Sequence, residues 1–113
     1  MVEISVCMPS YNASQYIGEC IDSVLNQSFT DFKFVIVDDG STDNTVQIIK
    51  EYADSRIRLI ENDHDFIESL NTSIRLAEGK YIARMDSDDI MMPNRLIIKY
   101  KKYFLCIVKI KRA

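Results

Sequence analysis

The run Phe32-Lys33-Phe34-Val35-Ile36-Val37 is apolar apart from Lys33 and shows no in-out alternation. A strand with one wet face alternates, whereas a continuous run suits a strand covered on both faces, as in a parallel sheet. Glu3 to Met8, which Pro9 is expected to end, Ile57 to Ile60, and Tyr81 to Met85 read as three further strands. Between them apolar residues recur at helical spacing: Ile17, Cys20, Ile21, Val24 and Leu25, then Val46, Ile49, Tyr52 and Ala53, then Ile67, Leu70, Ile74 and Ala77. Asn12 or Ser14 is placed to cap the first helix, the polar run 38–43 to cap the second, and Gly79 to stop the third. Pro93 fits the first turn of a fourth helix through Leu96, Ile97 and Tyr100. The alternation βαβαβαβα specifies an α/β fold with a Rossmann-like open, mainly parallel sheet and helices on both faces. Residues 1–103 are expected to form one domain. The basic, apolar tail 104–113 fits either helix or strand.

Charge narrows the partners. The net charge of −3 hides an asymmetry, because seven Lys or Arg and no acid follow Asn94 while the first 93 residues carry all seventeen acids against seven basic residues. Such an acidic body is a poor nucleic-acid binder, since phosphate neutralisation needs clustered Lys and Arg. Cys7, Cys20 and Cys106 lack CxxC spacing, and Cys7 and Cys20 sit among apolar neighbours. Buried reduced thiols in a cytoplasmic protein are therefore expected. No run is long enough to span a membrane and no signal peptide opens the chain, although the basic tail leaves open a peripheral contact with the inner membrane face.

Three polar clusters end three of the strands: Pro9-Ser10-Tyr11-Asn12, Asp38-Asp39-Gly40-Ser41 and Asp86-Ser87-Asp88-Asp89. Ligands of open parallel sheets gather beyond the carboxyl ends of strands, so the topology brings these clusters to one edge. Three carboxylates within four residues repel one another unless a cation lies between them, and hard divalent cations take such oxygen ligands. The chain has no Gly-x-Gly-x-x-Gly and no Gly-Lys-Ser/Thr, so backbone phosphate cradles are absent and a phosphorylated ligand would need a metal. An EF-hand fails, with Met91 where Gly is needed and Ile97 where Glu is needed. An Asp-x-Asp phosphatase fits poorly, because that motif follows a first strand.

Ile4 to Asn12, Ile21 to Ser28, Val37 to Asp43 and Gly79 to Asp89 together resemble the N-terminal half of a family 2 glycosyltransferase, collinearly over about residues 3 to 100. The resemblance implies a GT-A type nucleotide-diphospho-sugar binding fold, here truncated. It implies that Pro9, Tyr11 and Asn12 line the nucleotide pocket with Tyr11 against the base, and that Asp39 contacts the base. Asp86-Ser87-Asp88 matches the DXD motif, with Asp86 and Ser87 near the donor and Asp86, Asp88 or Asp89 holding Mn2+ or Mg2+. The implied activity is inverting transfer of a hexose-type sugar from a nucleotide-sugar, a UDP-sugar being favoured, to a glycan or lipid acceptor in polysaccharide biosynthesis. Two departures stand out. No acid follows Asp89 to serve as general base, and Leu70-Asn71 stands where many members have Arg-Asn. No catalytic residue is assigned, and His64 is expected to be a solvated loop residue. A non-catalytic partner or vestigial nucleotide-binding module is the alternative, and an unfinished sheet edge leaves self-association open.

Overall fold

The computed structural model describes residues 3–97 and 108–109. Strands β1 (Ile4–Ser10), β2 (Phe32–Asp39), β3 (Ile57–Asn62) and β4 (Tyr81–Arg84) alternate with helices α1 (Ile17–Leu25), α2 (Thr45–Lys50) and α3 (Phe66–Arg75), and β5 is Val108–Lys109. The sheet order is β3-β2-β1-β4-β5. The first four strands are parallel, and β5 runs antiparallel to β4. The chain steps outward from β1 to β3 and then crosses back to β4, so the order reverses between β1 and β4. Ligands of open α/β sheets bind at such a switch point.

Strand parity sorts the core. Ile4, Val6 and Met8 of β1 and Phe32, Phe34 and Ile36 of β2 pack with Ile17, Cys20, Ile21 and Val24 of α1 and Ile49 of α2. The intervening residues face α3, where Cys7 Sγ lies 3.4 Å from the Ser73 carbonyl. Residues 95–97 begin the expected fourth helix, two residues beyond Pro93, and Leu96 is buried in the α1-side core. Tyr100 and the 103/104 domain boundary lie outside the described residues.

Several boundaries differ from the sequence reading. Pro9 does not end β1, which continues through Ser10. Main-chain groups of one strand residue point to the same side in a parallel sheet, and the Cys7 carbonyl accepts from the Met85 amide on the β4 side. Pro9, two residues on, points its missing N–H the same way, where β4 has already ended. β2 likewise runs on through Asp38 and Asp39, both buried. The α1 N-cap is Tyr16 and makes no side-chain cap bond, so neither Asn12 nor Ser14 caps it.

The largest difference is in α3. Its buried residues are Ser69, Thr72 and Ser73. Ile67 and Ile74, expected inside, are 71% and 43% exposed. The small serines let the helix lie close to the sheet, and each buried hydroxyl finds an acceptor: Ser69 on Asp39 of the sheet, Thr72 and Ser73 on the Glu68 and Leu70 carbonyls of their own helix. Gly79 is not the helix stop either, since α3 ends at Arg75 with Leu76 as C-cap. A Cβ at Gly79 would stand 2.8 Å from both the Glu3 carbonyl oxygen and the Ile4 carbonyl carbon, so this glycine serves close approach of two backbones.

Candidate functional site

The β1 and β4 ends open a cleft of about 420 Å³ lined by Pro9, Tyr11, Asn12, Asp86, Ser87 and Asp88, together with Ala13, Tyr16 and Phe66. Six of the residues singled out in the sequence therefore meet at the switch point. Asp39 and Asp89 do not line it. Tyr16 and Phe66, each half exposed, were not legible as site residues, because exposure of an aromatic is settled only by how α1 and α3 meet the sheet.

The cleft wall is fixed by hydrogen bonds between the β1–α1 and β2–α2 loops. Asn12 takes a left-handed backbone (φ 46°), which Asn tolerates better than most residues. Its amide donates to Ser41 Oγ at 2.9 Å and its Oδ1 accepts from the Thr42 amide at 2.8 Å. Asn12 thus clamps the two loops as well as lining the cleft. Asp43 adds a second tie, accepting from the Ser14 and Thr45 amides and the Thr45 hydroxyl. Hydrogen bonding from Thr45, then from Ser14, holds its carboxyl down at about 2.

The adjacent acids of β2 differ sharply. Asp38 is saturated: Ser10 Oγ donates to it at 3.0 Å, Ser41 Oγ at 2.7 Å and the Ser41 amide at 2.9 Å. Asp39, only 1% exposed, accepts at Oδ1 from Ser69 Oγ and from the Asp65 amide, both at 2.7 Å. Among the described residues no hydrogen bond satisfies Asp39 Oδ2. Its neighbour is His64 Nδ1, 3.0 Å away, which lies 3.1 Å from the Asp39 carbonyl oxygen and makes its hydrogen bond there. The His64 ring also stacks on Tyr11, centroids 4.2 Å apart at 26°. The histidine is a 61% exposed loop residue, as expected, and its ring in addition packs on Tyr11 and Asp39. Gly40, with φ +76°, admits it: a Cβ there would meet the His64 amide at 2.9 Å.

Asp86 and Asp88 stand on the opposite wall. Arg84 pairs with Asp86 at 3.6 Å, an exposed contact of little energetic weight. The Asp89 amide donates to the Asp86 carbonyl in a tight turn. Behind this turn the buried Cys20 thiol is pushed up to about 12, by burial first and then by the charges of Asp89, Asp88 and Asp86. Burial alone pushes Cys7 up to about 12, and both thiols are free, as expected. Among the described residues no three His, Cys, Asp or Glu side chains converge to hold a metal ion by themselves. Two hard oxygen donors on one wall suit Mg2+ or Mn2+ when ligand oxygens, such as those of a diphosphate, complete the sphere.

The sequence profile of Glycosyl transferase family 2 matches residues 5–102. The chain belongs to this family. Within family 2 it is 46% identical over 94 residues to a chondroitin synthase of Escherichia coli, covering 80% of this chain and 14% of that protein. It is 41% identical over 95 residues to the E. coli UDP-Glc:alpha-D-GlcNAc-diphosphoundecaprenol beta-1,3-glucosyltransferase WfgD, covering 82% and 38%. Among solved structures, S. aureus TarS in complex with UDP superposes with a TM-score of 0.81 at 30% identity, over 88% of this chain and 31% of that one. The mannosyltransferase PcManGT from Pyrobaculum calidifontis, in complex with GDP-Man and Mn2+, gives 0.72 at 27% identity over 78% and 28%. This family 2 chain thus spans well under half the length of these relatives. Among its described residues no helix is long and apolar enough to cross a membrane.

Proposed function

We propose that the chain is the donor-binding part of an inverting glycosyltransferase. It takes a nucleotide-diphospho-sugar, a UDP-sugar being favoured, together with Mn2+ or Mg2+, for transfer of a hexose-type sugar to a glycan or lipid acceptor. The observation that carries this is Asp39 Oδ2, among the described residues the one buried side-chain oxygen without a hydrogen-bond donor, which lies 3.0 Å from the His64 ring that stacks on the cleft residue Tyr11. A buried carboxylate oxygen held in place and lacking a donor is a built acceptor for a ligand N–H, such as the imide of a uracil ring. The opposite wall supports the same reading. Asp86 and Asp88 suit a cation shared with a diphosphate, and when bound such a cation stabilises charge on the departing phosphate oxygens. Ser87 lies between them on the donor side. No residue of this chain is assigned as the base that activates the acceptor. The relatives named above support the donor class, since the structures carry UDP or GDP-Man with Mn2+.

Calorimetry with UDP, with and without Mn2+, tests the proposal on the wild-type chain and on Asp39→Asn. Binding strengthened by Mn2+ and lost or sharply weakened in Asp39→Asn is expected. Binding indifferent to the metal, or no binding to any nucleotide, would overturn it.

A further inference from the structure

The imidazole of His64 makes two contacts that a bound base would have to make. It stacks on the Tyr11 ring, and it stands 3.0 Å from Asp39 Oδ2. The two oxygens of Asp39 facing Nδ1 are acceptors only, so Nδ1 carries the proton and donates. Oδ2 is buried with the His64 ring against it, so a ligand N–H can reach this oxygen only after its cover moves aside. With His64 in place, a base stacked in the cleft would find the Asp39 acceptor covered. The Asp39 carboxylate is not reached from the cleft while the ring covers it, in keeping with its absence from the cleft lining.

We propose that His64 is a built-in occupant of the base subsite, and that a nucleotide enters by displacing this ring from Tyr11 and from Asp39. The inference rests on the donor-binding reading above. The main chain need not open for the exchange. The Asp65 amide stays on Asp39 Oδ1, the His64 amide packs over Gly40, and the ring, 61% exposed, has solvent to swing into. His64 then sets how tightly the site holds its ligand without being part of the ligand's contact set: an empty cleft keeps Tyr11 covered and Asp39 paired, and each entering base competes with a tethered ring.

The chain contains one histidine, so its imidazole signals in NMR are unambiguous. Two measurements are needed: the His64 ring shifts with and without saturating UDP and Mn2+, and calorimetric UDP affinity for wild type and His64→Ala. In the free protein the ring protons are expected upfield, under the Tyr11 ring current, and on UDP binding they should move to solvent values. His64→Ala is expected to bind UDP roughly two- to tenfold more tightly, the range set by one ring stack that no longer has to be broken. Wild type binding UDP while His64→Ala binds equally or more weakly would overturn the proposal alone, because the ring would then be a wall of the site. The same holds if the ring protons shift further upfield with UDP. No nucleotide binding by either form would remove the donor-site reading itself, and this inference with it.

Discussion

Ser69 decides whether Asp39 is held as a charged acceptor, and Ser69→Ala measures it. Both residues are buried, at 0% and 1% exposure, and the hydroxyl donates to Oδ1 at 2.7 Å. A hydrogen bond to a charged group contributes about 1.5–3 kcal/mol, so its loss should cost about that much, the Asp65 amide being the full donor left among the described residues. At about 4–8 °C per kcal/mol for a small domain, the melting temperature should fall by roughly 6–24 °C. Urea unfolding followed by circular dichroism gives the energy directly, provided the slope of the transition is unchanged. The double variant with Asp39→Asn sharpens the test. An amide oxygen at Oδ1 still accepts from Ser69, but the bond is then between neutral groups and contributes only about 0.5–1.5 kcal/mol. Ser69→Ala should therefore cost less in the Asp39→Asn background, with a coupling of about 1 kcal/mol. A single variant within about 0.5 kcal/mol of wild type, or strictly additive effects, would show that Ser69 does not hold the carboxylate, and the account of Asp39 as a fixed acceptor would fail.

Gly79→Ala should destabilise by about 1–3 kcal/mol in urea unfolding, because the new methyl meets backbone of Glu3 and Ile4 that cannot move aside as a side chain would. Asp43, whose carboxyl is lowered from 3.8 to about 2, should contribute stability that is present above 3.8 and lost as pH falls toward about 2. Unfolding followed over that window should show the gap between wild type and Asp43→Ala closing as the acid limb is reached, and a gap independent of pH would contradict the assignment. Asp86→Asn and Asp88→Asn, on the cleft wall, should each reduce the Mn2+-dependent part of UDP binding, while Asp89→Asn, off the cleft lining, should leave it nearly unchanged. A larger loss for Asp89 than for Asp88 in the same titration would reverse that choice of ligand.

The order of elements was legible because it rests on local pattern. A continuous apolar run marked β2, shorter runs rich in β-branched or apolar residues marked β1 and β4, and the stripe Ile17, Cys20, Ile21 and Val24 marked α1 in the right phase. The cleft was legible at Pro9, Tyr11, Asn12, Asp86, Ser87 and Asp88, because strand ends of a parallel sheet converge whatever the details of packing. The phase of α3 was not. Apolar Ile67 and Ile74 are at proper helical spacing, yet the face that turns inward is the hydroxyl-bearing one, where Ser69 reaches Asp39 across 30 positions. The signal was faint but present, since Ser69 and Ser73 are themselves four apart. Gly79 failed for a related reason. A glycine after a helix reads as a C-cap, and only the β1 backbone against it reveals that space is what it supplies. His64 is the solvated loop residue expected, but nothing local says that Gly40 makes room for its ring beside Asp39. A hydrogen bond or close approach made at long range leaves no periodic trace.

The contrast between Asp38 and Asp39 shows how the sheet assigns chemistry to residues that the sequence presents as equivalent. Successive strand residues point to opposite faces. Asp38 follows the parity of Phe34 and Ile36 and turns to the α1 and α2 side, where Ser10 and Ser41 occupy both of its oxygens. Asp39 follows Val35 and Val37 and turns to α3, where only one oxygen is occupied. One acid is thereby spent on tying the end of β1 to the β2–α2 loop and the other kept for a ligand. That division depends on β2 continuing as a strand through Asp39, paired with β3 at Asn62. Had the chain turned at Val37, as the sequence suggests, neither parity nor burial would distinguish the two carboxylates. The register Asp38 with Glu61 and Asp39 with Asn62 also carries the chain past β2 to where His64 covers the second acid. The strand extension that the sequence hides is thus what makes Asp39 buried, oriented and incompletely paired, the three properties on which the donor-site reading stands.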